Sequence, residues 1–277
     1  MRPSRFASTA LGALASAALL AGCGSSSDSS SSAAPATTPV AVAPAAAVRD
    51  AQAKTATGSS KIDLTTAADV AGTQQSVKGT GAFDYAAKKG TFTLELGAMG
   101  GGALQERIVD GVLYLSPPGQ ATTFYSLPLK DLAGTPLAGT ADPSSALATL
   151  DGVTDDVREV GKEQVRDAET THYTATVDVA KLAAAGGSAS SKALTDSGVA
   201  TVPVEVWVDA EGRARRVVSK VSIPASAKTN NMPVDTTTTI ELYDFGTPVS
   251  VTAPPKSQVK DGTPLLKQLK ARGTSGA

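Results

Sequence analysis

The 277-residue chain predicts an α+β fold in which short helices cover one face of an antiparallel sheet. Three observations carry this expectation. Runs of period-two alternation fill the early and late parts of the chain from Ser60 onward, the signature of half-buried strands. Short turns join neighbouring runs, and strands joined by hairpins pair antiparallel. The middle of the chain instead holds short helical patterns, the natural cover for an apolar sheet face.

The elements follow in order. Val48 to Thr57 reads as a short helix, with Val48, Ala51 and Ala56 on one side and Gly58 as its stop. Ile62 and Leu64 mark the first strand. Thr73 to Tyr85 is the second, with Lys89-Gly90 as the turn that follows. Phe92, Leu94 and Leu96 alternate with Thr91, Thr93 and Glu95, which puts the apolar side chains on one face. Gly100-Gly101-Gly102 is a loose turn before Leu104 to Val109. Asp110-Gly111 is a two-residue hairpin signal leading into Val112 to Leu115, and Pro117-Pro118-Gly119 closes that strand.

Asp142-Pro143-Ser144-Ser145 starts a helix, since proline is tolerated in a first turn. Ala146, Leu147 and Leu150 form its apolar side and Gly152 ends it. Strands follow at Val157 to Arg166 and Thr171 to Val179. In the second of these, Tyr173, Ala175, Val177 and Val179 share one face, and His172, Thr174, Thr176 and Asp178 share the other. Lys181 to Ala185 and Lys192 to Ser197 read as short helices around Gly186-Gly187. Val202, Val204, Val206 and Val208 alternate with Pro203, Glu205, Trp207 and Asp209. The turn Asp209-Ala210-Glu211-Gly212 then returns the chain as Arg213 to Ile223, and Thr236 to Phe245 is the last strand. The reading gives about nine strands, with Pro254-Pro255 ending the domain and a tail holding a frayed helix around Leu265 to Leu269.

The N-terminus carries a separate signal. Arg2 and Arg5 precede an apolar run from Ala10 to Leu20, then Leu20-Ala21-Gly22-Cys23. A basic start, a short apolar core and a small-residue cleavage site form a secretory signal. Cysteine directly after the cleavage point is the bacterial lipobox pattern. Its thiol takes a diacylglyceryl group, and two or three acyl chains (palmitate-type) anchor a protein stably where one does not. The apolar run is too short for about 20 residues of membrane span. Residues 1–22 are therefore expected to be a lipoprotein signal peptide and Cys23 the lipidation site. Residues 23–47, rich in Ser, Ala and Pro, read as a flexible spacer. Residues 48–256 form the domain and 257–277 the tail. The expected address is the outer face of the cytoplasmic membrane.

Composition narrows the chemistry. The formal charge is −1 and there is no long basic run, so nucleic acid has no electrostatic footprint here. Cys23 is the sole cysteine, so lipidation leaves no thiol and no disulfide. His172 is the sole histidine, which excludes a multi-histidine zinc site; it reads better as a polar residue on the outer sheet face than as a catalytic base. No Gly-x-Ser-x-Gly elbow occurs. The glycines at 100 to 102 lack the Lys-Ser/Thr of a phosphate loop. Asp155 and Asp156 are adjacent, so on a strand they diverge. Arg213, Arg215 and Arg216 suit a solvated face or a contact to lipid headgroups. No enzyme activity and no cofactor are expected.

Three segments resemble one family. They are Val160-Gly161-Lys162-Glu163 through Thr171 to Asp178, Pro203 through Arg213, and Tyr243-Asp244-Phe245-Gly246-Thr247-Pro248 through Pro255. With the lipobox they are similar to actinobacterial lipoproteins of the LppX/LprG type, related in fold to the lipoprotein carrier LolA. The resemblance implies a strongly curved antiparallel sheet, an open half-barrel, with short helices closing its concave face. It also implies a space that shelters acyl chains of lipids or glycolipids in transit through the envelope. The inner-face residues Phe92, Leu94, Leu96, Val202, Val204, Val206 and Val208 are then the cavity-lining candidates. Two readings stand against carriage: these residues pack against the helices, and the protein is an interaction or envelope-sensing module with no lipid ligand.

Overall fold

The computed structural model describes residues 43–70, 72–97, 102–120, 122–132, 143–184, 189–226 and 231–275. The signal segment, Cys23 and most of the spacer lie outside these, as do Gly100-Gly101, Asp142 and Gly186-Gly187.

The described strands form one twelve-stranded sheet. β1 (Ser59–Val70), β2 (Thr73–Asp84), β3 (Lys89–Glu95), β4 (Ala103–Val109), β5 (Val112–Ser116) and β6 (Phe124–Pro128) walk outward from the middle of the sheet to one side. The chain then crosses through α2 (Pro143–Ala148) and a 3-10 turn at Thr149–Gly152. It re-enters at the opposite edge as β7 (Arg158–Val165). β8 (Ala168–Asp178) follows, then α3 (Val179–Ala184) and α4 (Ala189–Asp196). β9 (Thr201–Asp209), β10 (Ala214–Ile223) and β11 (Val234–Tyr243) walk back until β11 pairs with β1. All these neighbours are antiparallel, and short hairpins make that pairing cheap in loop closure.

Local chemistry fixes several joints. At Asp110 and Gly111 φ is 51° and 75°, so the expected two-residue hairpin forms with both central residues left-handed. Gly212 has φ of 78° in the β9–β10 turn. The Lys89-Gly90 turn does not form. The β2–β3 turn lies at 85–88, and Gly90 sits inside β3 because a Cβ there would strike the Phe83 ring. Gly79 and Gly81 on β2 serve the same end. A Cβ on Gly79 would stand 2.6 Å from Leu94 Cδ2, and one on Gly81 would meet the Thr91 carbonyl and the Phe92 ring. The side chains of β3 thus fold over β2, which lets the sheet curl tightly.

Two strands escape the sequence reading. β6 was not expected, and β12 (Val259–Asp261) adds to it in parallel. Pro254-Pro255 therefore does not end the fold: β12 and α5 (Thr263–Ser275) follow it. A three-residue strand whose partner lies far back in the chain has no period to detect.

The helix expected from Val48 begins earlier, as α1 (Pro44–Thr55). Pro44 suits a first helical position, and the alanines behind it, which look like spacer, are the best helix formers. Val48, Ala51 and Thr55 are its buried side. Thr55 Oγ1 donates to the Ala51 carbonyl at 2.7 Å and accepts from the Ala214 N–H at 2.9 Å, tying α1 to the start of β10. Arg49 donates to the Val153 carbonyl at 2.9 Å and pairs with Asp155 at 2.7 Å. Asp155 and Asp156 lie in the bend before β7, not on a strand.

Candidate functional site

Pairing registers show which side chains share the inner face, because residues directly opposite in a sheet point to the same side. One row runs Leu104, Leu94, Gly79, Leu64, Ile240, Val217, Val206 and Tyr173 across β4-β3-β2-β1-β11-β10-β9-β8. The next row toward α1 includes Leu115, Glu106, Phe92, Gly81, Ile62 and Leu242. On the other side of the first row lie Val77, Thr66, Thr238, Ser219, Val204 and Ala175.

Cover over this face is uneven. α1, the 149–152 turn and α3 join one apolar cluster with β8, β9 and β10. At that end Ile62, Phe83, Ile108, Leu113 and Val206 are all 2% exposed or less. Toward the other end of β1, β2, β10 and β11, inner-face residues are only half-buried: Leu64, Thr66, Val77, Val221, Ile223 and Thr238. Leu96 and Leu104 are half-buried as well. An apolar strip with a few hydroxyls therefore remains partly open.

Six of the seven lining candidates lie on the inner face of β3 and β9, in two separate groups, and Leu96 directly follows β3. β2, β1, β11 and β10 lie between β3 and β9. Val202, Val204, Val206 and Val208 sit in the closed apolar cluster, and Phe92 and Leu94 are 5% exposed. Of the seven, Leu96 alone is half-buried. Leu96 shares the half-buried strip with residues of β1, β2, β4, β10 and β11, and the threonines and glycines of β1, β2 and β11 hide its apolar stripe from sequence reading.

Glu106 is the residue sequence reading passed over. It lies on β4 in phase with Leu104 and Ile108, so the strand's own alternation places it inside; that phase was the available signal. It is 0% exposed, and neither carboxylate oxygen has a hydrogen-bond partner. Burial alone pushes its pKa from 4.5 up to about 8, because a charge in apolar surroundings loses its hydration. At neutral pH it is a carboxylic acid, a donor as well as an acceptor.

The outer face is polar, and most of its charged groups pair with one another. His172 stacks on Trp207 with ring centroids 4.1 Å apart. Its Nδ1 stands 2.9 Å from Glu163 Oε1, while Trp207 Nε1 donates to Glu163 Oε2 at 2.8 Å. His172 Nε2 is 3.2 Å from Glu205 without hydrogen-bond alignment. The Trp207 N–H, then His172, hold the Glu163 carboxyl below the usual range; Lys220 does the same for Glu205. His172 is thus on the outer face, as expected, but only 7% exposed. Arg216 pairs with Glu241 at 2.6 Å and lies over Trp207. Arg166 bridges Glu241 and Asp63 and lies 3.9 Å from the Tyr243 ring centre. Arg213 and Arg215 converge on Asp209 and on the Phe245 ring. Arg213, Arg215 and Arg216 are thus held by carboxylates and rings of this chain.

No family model matches the chain. A protein of Streptomyces griseus, the uncharacterized 31.2 kDa protein in the rplA-rplJ intergenic region, is 33% identical over 120 residues, which are 41% of this chain. The match spans 37% of that relative's length. Among solved structures, the Mycobacterium tuberculosis lipoprotein LppX has a TM-score of 0.49 at 15% identity, covering 76% of this chain and 98% of LppX. LprF from Mycobacterium bovis has a TM-score of 0.44 at 14% identity, covering 76% and 96%. The LolA superfamily protein NE2245 from Nitrosomonas europaea has a TM-score of 0.31 at 9% identity, covering 78% and 99%. The likeness to these structures is one of fold, carried here by an antiparallel sheet with few short helices.

Proposed function

We propose that this chain is an exported lipoprotein, anchored through Cys23, that binds acyl chains of a lipid or glycolipid against the inner face of its sheet and moves them within the envelope. The observation that supports it is the partly open apolar strip formed by Leu64, Val77, Leu96, Leu104, Val221 and Ile223. Each CH2 moved from water into such a strip gains about 0.8 kcal/mol, so a chain of ordinary length is held well without any specific polar contact. The lipobox supplies the complementary half of the reading, a tether that keeps the sleeve beside its lipid source.

Native mass spectrometry of the gently purified protein from a mycolate-containing host tests this. Lipid that co-purifies and disappears on organic extraction is the expected result. A bare protein mass, together with no uptake of fluorescent acyl probes, overturns carriage and favours the interaction or sensing role.

A further inference from the structure

We propose that Glu106 is a specificity site that selects acyl chains carrying an in-chain hydroxyl or similar oxygen group over plain hydrocarbon chains. The inference rests on the acyl-binding reading above. It starts from an anomaly: buried polar groups almost always find a partner, and here both carboxyl oxygens have none.

The position of Glu106 gives the anomaly a direction. Leu104, two residues earlier on the same face of β4, is half-buried and belongs to the open strip. Two residues of strand span roughly 6.6 Å, so Glu106 stands one step inward from the strip's margin. Its cross-strand neighbours Phe92 and Leu115 are apolar and 5% exposed. A chain lying over Leu96 and Leu104 that pushes past the apolar Phe92 and Leu115 comes up against this carboxyl. In its neutral form the carboxyl donates a hydrogen bond to an in-chain oxygen and accepts one from a hydroxyl. A plain methylene at that point leaves both groups unsatisfied. A site built to hydrogen-bond a group discriminates against analogues lacking it more strongly than a purely apolar pocket can.

The sleeve end is apolar and the carboxyl is deep, so the ligand's oxygen sits within its chain rather than at a headgroup left in water. A hydroxylated acyl chain fits this description. A simple saturated chain binds by area alone.

The test uses the full-length chain, delipidated, with stearate and a set of positional hydroxystearates competing against one fluorescent acyl probe. Wild type is expected to prefer at least one isomer over stearate by about fivefold, the worth of one hydrogen bond. Glu106→Leu keeps stearate binding and loses the preference. Glu106→Gln, neutral and still able to donate and accept, keeps it. An isotope-edited infrared carbonyl band of Glu106 that shifts with the preferred isomer and not with stearate supports the same contact in wild type, whether or not the variants fold. No preference in wild type, a preference that survives Glu106→Leu, or a carbonyl band indifferent to every isomer overturns the proposal while leaving carriage intact. Wild type that takes up neither stearate nor any isomer overturns the acyl-binding reading, and this proposal with it.

Discussion

Glu106→Leu should make the protein more stable, and by an amount that depends on pH. The carboxyl is fully enclosed and unpartnered, and burial raises its pKa from 4.5 to about 8. Between those pH values the folded protein keeps a proton that the unfolded chain has released. Stability falls with rising pH wherever the folded state binds more protons. The slope is about 1.4 kcal/mol per pH unit, accumulating to no more than about 5 kcal/mol by the upper end of the window. Below pH 4.5 both states are protonated and this contribution vanishes. There the variant gains only the relief of burying an unpaired neutral polar group, about 1–3 kcal/mol. Urea unfolding of wild type and Glu106→Leu, followed by circular dichroism from pH 4 to pH 9, separates the two effects. The gap between the curves is expected to widen steadily through the window and level off above it. Glu106→Gln should lose the slope while keeping most of the cost of burying a polar group. Parallel curves for wild type and Glu106→Leu across the whole range would refute the argument, since they would mean that the carboxyl is solvated or partnered in the folded protein.

Three further outcomes are expected. Asp209→Asn should cost about 2 kcal/mol near neutral pH, because Arg213 and Arg215 lose the carboxylate that both contact. Burial opposes ionisation of Asp209, yet the Arg213 backbone N–H and the two guanidiniums outweigh it and lower its pKa below 3.8; the variant's deficit should therefore shrink as pH falls below 3.8, read by denaturant unfolding at several acid pH values. Gly81→Ala should lower stability by about 1–3 kcal/mol through overpacking, since the new Cβ meets the Thr91 carbonyl; a thermal melt unchanged from wild type would argue against tight curling of β2 on β3. Cys23→Ala should release the protein from membranes or leave its precursor uncleaved, and fractionation that finds it still membrane-bound and processed would remove the tether from the proposal.

Legibility in the sequence followed the range of the interaction concerned. The Asp110-Gly111 hairpin was readable because its positive φ values are a local demand. The inward valines of β9 and the outward His172 of β8 were readable because alternation is a property of one strand. Gly90 misled as a turn residue because its reason lies across the sheet, in the Phe83 ring. β12 left no pattern because its three residues exist as a strand only beside β6. α1 began earlier than expected because an alanine-rich run is helix or spacer according to whether something waits to bury it. Glu106 was visible as a charge in the apolar phase of β4, a sign that carries weight only once the strand's other neighbours are known.

By itself the sequence determined the class of the fold and the facing of its strands, since side-chain period and turn chemistry are written residue by residue. Only the tertiary structure decided that β1 and β11 meet in the middle, that β6 and β7 stand far apart although one follows the other, and that inner-face cover is close at the α1 end of the sheet and partial toward the other end of β1, β2, β10 and β11. Those outcomes depend on which distant segment reaches a given face first and with how much apolar surface. No local window of the chain holds that information.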